Sequence, residues 1–247
     1  MRSLWKLTWT EAKLFLREPW AAFFTLIFPL GMLFLFGSIY GNEPSDFYGG
    51  RGSVDVSTPG YMAMIIGTIG LMSIPMTMAA YREKGILRRY RATPLRPTVI
   101  LASQVVVFFL MTLLGTLLLV VAARLVYDLH FEGSASSMLA AFTLSSLSFF
   151  STGFLLAGLA PTARVANIVA MVIFYPNLFL SGAGMPKEMF PETILKVSRM
   201  LPLTYVVDLL QGLWFGEAWG EHLTEVLVLV GVLVVGVIVA AWTFRWK

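Results

Sequence analysis

The sequence predicts an all-α integral membrane protein: six transmembrane helices with an N-terminal interfacial helix and a short re-entrant external helix pair between spans five and six. Three observations carry that expectation. Of 247 residues, 57% are hydrophobic and 13% charged, with a mean hydropathy of +0.78, whereas a soluble domain carries about 25% charged residues. Six apolar runs each come near the roughly 20 residues that a helix needs to cross about 30 Å of hydrocarbon. The basic residues gather in alternate connections between those runs, which is the charge signature of a multi-pass topology.

Residues 1–19 are read as an interfacial helix. Leu4, Trp5, Trp9, Ala12, Phe15 and Leu16 share one helical arc, with Lys6, Lys13 and Arg17 clustered beside it, a pattern suited to lying flat at the headgroups. Tryptophan at the edge of that face suits the depth, because its ring is apolar and its N–H wants a polar neighbour. Met1 to Pro19 carries charges throughout, and the apolar run that follows is too long for a signal core, so it is expected to remain as a span.

The spans are placed at residues 20–40, 61–80, 98–123, 138–160, 165–184 and 226–244 of one domain, 1–247. With the N-terminus inside, Lys and Arg number 4, 6, 1 and 2 in the cytoplasmic segments and 1, 1 and 3 in the external ones, 13 against 5, so both termini are expected in the cytoplasm. No charged residue is evident inside a span, which argues against a proton or sodium pathway. The polar residues at depth are Gln104, Asn167, Asn177 and a serine stripe in span four, Ser145, Ser146, Ser148 and Ser151 with Thr152. Small hydroxyl residues let helices approach closely, so the stripe is read as packing. Pro29, Pro75 and Pro176 are expected to kink spans one, two and five. The external segment 185–225 holds two helical patterns, Pro191–Leu201 and Leu203–Trp214, both too short to cross; they either dip into the outer leaflet and return or lie flat on it.

Between spans two and three lies residues 81–97, YREKGILRRYRATPLRP, with six basic residues against the single acid Glu83. At helical spacing Ile86, Leu87 and Tyr90 form an apolar arc opposite the basic residues, Glu83 projects toward that arc, Gly85 interrupts the register, and Thr93-Pro94 ends the pattern. A topogenic loop holding its arginines at lipid phosphates is one reading. A docking helix for a soluble partner is the other, favoured because a loop needing only positive charge has no use for the apolar patch or the carboxylate.

Zero cysteines remove thiolate chemistry and disulfides. GxxxxGK[ST], GxSxG, HExxH and GxGxxG are all missing, so no ATP-hydrolysing motif is present. His130 and His222 fall in external connections and are read as surface residues. No metal site is expected, and the net charge of +4 follows from topology rather than nucleic-acid binding.

The segment EKGILRRYRATPLRP, the span-five exit YPNLFLSGAGMPKEMFP and its continuation LPLTYVVDLLQGLWFG resemble the membrane subunit of ABC-2 type transporters, the permease group that includes drug and polysaccharide exporters of bacteria. The resemblance covers essentially the whole chain. It implies that Glu83, Lys84, Gly85, Arg88, Arg89, Thr93 and Pro94, with the Ile86, Leu87 and Tyr90 patch, dock on a separate ATPase subunit that carries ATP and Mg, leaving no cofactor on this chain. It implies a second permease, a copy or a paralogue, and a multi-pass location in the bacterial cytoplasmic membrane among its lipids. The expected function is export of an amphipathic substrate such as a drug, an antibiotic or a lipid-linked glycan. The alternatives are a non-transporting assembly or sensor subunit and a membrane-embedded enzyme. The expected path runs between two permeases along spans one, two and five, past Asn167, Pro176 and Asn177, capped outside by Leu203, Tyr205, Asp208 and Trp214.

Overall fold

The computed structural model describes Trp9, Lys13, Phe15 and residues 22–86 and 97–243. Most of the N-terminal interfacial helix and positions 87–96 lie outside the described residues. Six helices are long and apolar enough to span a membrane: α1 (Phe23–Tyr40), α2 (Ser53–Glu83), α3 (Pro97–Tyr127), α4 (Ala135–Leu159), α5 (Ala163–Leu180) and, after two short helices, α8 (Leu223–Thr243). The short ones are α6 (Glu192–Ser198) and α7 (Pro202–Trp214). Among the described residues there is no strand, only an isolated bridge between Ser45 and Arg51.

Helix α2 is the spine. It packs against α1, α3, α4, α5 and α7, and every residue from Ser53 to Ser73 is buried. Gly70 and Gly153 let α2 and α4 cross almost backbone to backbone: a Cβ on Gly70 would stand 2.6 Å from Phe149 Cβ and 2.8 Å from its carbonyl oxygen. The serine stripe of α4 forms the seam with α8. Ser148 Oγ donates to Leu229 O at 2.8 Å, and Gly236 rests on Ser151, the close approach that small residues permit.

Two of the three prolines are absorbed by wide turns. A π-helical stretch at Phe23–Ile27 precedes Pro29, and another at Thr68–Ser73 precedes Pro75. Proline lacks the N–H and crowds the carbonyl four residues back, and a local widening relieves both. Pro176 sits inside α5 without such a stretch.

Several boundaries differ from the sequence expectation. The second span starts at Ser53 rather than residue 61, because the polar stretch SVDVSTPG is helical and buried. Thr58 Oγ1 donates to Val54 O at 2.7 Å, hiding its hydroxyl along the helix. Span three runs on to Tyr127, and span six takes in Glu225 from the expected external segment. Residues 81–83, taken above as the start of the basic segment, complete α2. Gly85, in a left-handed conformation at φ 66°, ends it, with Gly85 N donating to Arg82 O at 3.1 Å.

Helices α6 and α7 form the re-entrant pair. At 13 residues α7 measures about 20 Å, short of a crossing. Its first turn is deep in the bundle, with Leu203 against Gly67 and Phe174. Its last turn ends at the α3–α4 connection, where Trp214 Nε1 donates to His130 O at 2.9 Å. The turn between the two helices is tied by Thr204 Oγ1 donating to Ser198 O at 2.6 Å and Tyr205 Oη donating to Arg199 O at 2.7 Å.

Candidate coupling site and external cap

The root of the basic segment is fastened to the connection between α4 and α5. Arg82 donates through Nη1 to Ala157 O at 3.1 Å and through Nη2 to Ala160 O, so the guanidinium sits on the carbonyl end of α4, where a cation is favoured. Next to it, Glu83 Oε1 accepts from Ala163 N at 2.9 Å, an anion at the amide end of α5. Thr162 completes the cap by accepting from Val165 N at 3.2 Å. Two adjacent side chains of opposite charge therefore hold the two ends of one tight turn. The structure places Glu83 in this clasp, with Lys84, Gly85 and Ile86 following; Leu87, Arg88, Arg89, Tyr90, Thr93 and Pro94 lie outside the described residues.

The path residues separate. Asn177, 3% exposed, turns into its own chain: Nδ2 donates to Ile173 O at 2.9 Å and Oδ1 accepts from Leu203 N at 3.3 Å. It caps the buried start of α7, a donor that would otherwise stay unpaired. Pro176 is exposed and Asn167 half-buried. Span two is buried from Ser53 to Ser73, whereas α1 and α5, the other two spans expected along the path, expose apolar residues, among them Leu35, Ile39, Val172 and Phe179.

Of the residues expected to cap the path, Leu203 and Trp214 are buried, and Phe131 meets the Trp214 ring edge-on at 4.8 Å between centroids. Asp208 pairs with Lys187. Burial lifts the Asp208 carboxyl above the usual range while the Lys187 ammonium pulls it back.

Two polar clusters nearby went unread in the sequence. Asp55, 7% exposed, accepts from His130 N at 2.8 Å and Asn42 Nδ2 at 3.0 Å through Oδ1, and Asn42 Oδ1 accepts from Asp55 N at 3.0 Å. One carboxylate thus ties the α1–α2 loop to the α3–α4 connection, while Asn42 satisfies an amide in the first turn of α2. His222, expected at the surface, is buried against Gly212, with Nε2 2.8 Å from Glu217 Oε2 and Nδ1 3.9 Å from Glu225 Oε2. The only sequence signal was the i, i+3 spacing of His222 and Glu225, which needs the α8 start to be known. Among the described residues no group of His, Asp and Glu is arranged to hold a metal.

Comparison with known proteins is consistent with this architecture. The Inner membrane transport permease YhhJ of Escherichia coli (strain K12) is 25% identical over 181 residues, covering 70% of this chain and 48% of that protein. Nodulation protein J of Rhizobium leguminosarum bv. viciae is 29% identical over 128 residues, covering 52% of this chain and 47% of that protein. Nodulation protein J of Rhizobium meliloti (strain 1021) is 32% identical over 106 residues, covering 43% and 40%. The chain aligns with about half the length of these relatives or less. Residues 2–215 match the family described as ABC-2 type transporter, and on that match over most of its length the chain belongs to the ABC-2 transporter permeases.

Proposed function

We propose that the chain is the permease subunit of an ATP-driven exporter in the bacterial cytoplasmic membrane, with N- and C-termini in the cytoplasm. A separate ATP-binding cassette subunit hydrolyses ATP with Mg, and a second permease, a copy or a paralogue, completes the pathway. The observation that carries this reading is the Arg82 and Glu83 clasp. Force applied to the basic segment reaches α2 directly and the α4–α5 hairpin through three charge-assisted hydrogen bonds from two side chains. The segment is therefore connected to the spine and to two further spans at once, which is what coupling a soluble motor to a bundle requires. A topogenic loop would need no such attachment.

With span two enclosed, the path falls to the exposed faces of α1 and α5 against the second permease. Their apolar surface, interrupted by the half-buried amide Asn167, suits an amphipathic substrate rather than a free ion. The test is reconstitution of the full chain with its ATP-binding cassette subunit, measuring hydrolysis and export together. Arg82→Gln with Glu83→Gln, which takes the charge from all three bonds, is expected to leave hydrolysis running and to reduce export at least about tenfold, the effect of losing even one charge-assisted contact. Unchanged export at unchanged hydrolysis would remove the clasp from the mechanism.

A further inference from the structure

A lateral groove of about 500 Å³ opens between α3 and α4 on the side away from α5 and α8. Leu113, Leu117, Val120, Met138, Leu139 and Phe142 line it. From Leu113 to Arg124 it follows α3 for about 16 Å at the helical rise, a length suited to an acyl chain. Trp214 and Phe131 close its outer end, so the last turn of the re-entrant helix forms part of its wall. Leu117 and Leu139 are more than half exposed beside it, so none of the described spans of this chain covers the groove.

Arg124 stands at the rim, just beyond the end of the apolar run, and belongs to two cavities. It borders the lateral groove and also an outer cleft of about 670 Å³ lined with Asn42, Glu43, Asp128 and His130. Its contacts to Asp128 Oδ1 at 3.1 Å and Leu129 O at 2.6 Å both use Nη1. Nε and Nη2 are left to donate, in the planar fork that matches a phosphate. Around this one fixed cation the cleft places two carboxylates, Glu43 and Asp128. A purely anionic headgroup meets repulsion there, whereas a headgroup carrying a phosphodiester and a primary ammonium finds a partner for each charge.

We propose that this groove is a binding site for an aminophospholipid of the bilayer, its acyl chain between α3 and α4, its phosphodiester on Arg124 and its ammonium toward Asp128 and Glu43. Occupancy fills the space behind α7 and braces the re-entrant helix from the membrane side. The lipid there is a structural ligand, on the face opposite the one assigned to the path.

The test is native mass spectrometry of the detergent-solubilised full chain with phosphatidylethanolamine or phosphatidylglycerol added at equal concentration. The expected result is a retained phosphatidylethanolamine adduct about tenfold more abundant than the phosphatidylglycerol one, the effect of one extra charge-assisted contact and one relieved repulsion. Arg124→Gln should reduce both adducts, Glu43→Gln combined with Asp128→Asn should remove the preference, and Ala135→Trp, which places an indole in the groove mouth, should reduce both adducts while the protein stays monodisperse. Leu227→Trp, at a position likewise exposed on α8, serves as the control and should change neither. Equal retention of both lipids, no retention of either, or an Ala135→Trp effect no larger than that of Leu227→Trp overturns the site. So does disulfide formation between copies bearing Leu117→Cys, which would make a second chain the occupant.

Discussion

Asn177 shows how one residue type at one depth can be read two ways. An amide in an apolar span suggests a solvated path from sequence alone, since an exposed amide in hydrocarbon is costly. The structure meets that cost inside the chain, through Ile173 O and Leu203 N. Asn177→Leu is therefore expected to lower stability by about 1–3 kcal/mol, the penalty for stranding a buried backbone donor, and to loosen α7. Hydrogen exchange at Leu203 and Thr204 measures it, and protection equal to wild type would return Asn177 to the path. Likewise, a cysteine at Asn177 should not cross-link two copies, while one at the exposed Val172 is the better probe of a permease interface. Arg82 was legible as a charge but not as a cap, because its acceptors at Ala157 and Ala160 lie about 75 residues away.

Elements were legible in the sequence wherever hydropathy alone decides them. The long apolar runs of α1, α3 and α8 need only length and composition. The start of α2 failed for a physical reason: Ser53, Asp55, Ser57 and Thr58 are polar, yet the helix is buried in protein, with Thr58 bonded along the helix to Val54 and Asp55 to the distant Asn42 and His130. Hydropathy reports transfer into lipid, and these residues meet α7 instead of lipid. The α2–α4 crossing depends on missing side chains rather than present ones. Gly70→Val should therefore separate the two helices at Phe149, destabilising by about 1–3 kcal/mol as an overpacked core position does. Ser148→Ala, which removes the bond to Leu229 O on the α4–α8 seam, should cost only about 0.6 kcal/mol, the average for hydrogen bonds between spans. Thermal unfolding in one detergent ranks the two, and equal losses would mean that the close crossing is not what holds the bundle.

For the whole molecule, orientation is the proposal on which the exporter reading leans most. The chain has no cysteine, so single replacements report sidedness directly. Cysteines at Ser45, Ser136 and Thr193 should react with an impermeant thiol reagent on intact cells, and one at Thr93 should react only after lysis. The reverse pattern would invert the protein and place the basic segment outside. The enclosure of α2 carries a further consequence for how such a bundle can move. A helix gripped by four spans and the re-entrant pair has no lubricated face along which to slide, so displacement at Glu83 must be delivered to Ser53 as motion of a stiff rod. At that far end the rod is tied through Asp55 to Asn42 and His130, and through its buried flank to α7. A pull at one membrane surface then arrives at the other as a tilt of the loops there, and Pro59 and the wide turn at Thr68–Ser73 are places along its length where the rod can flex.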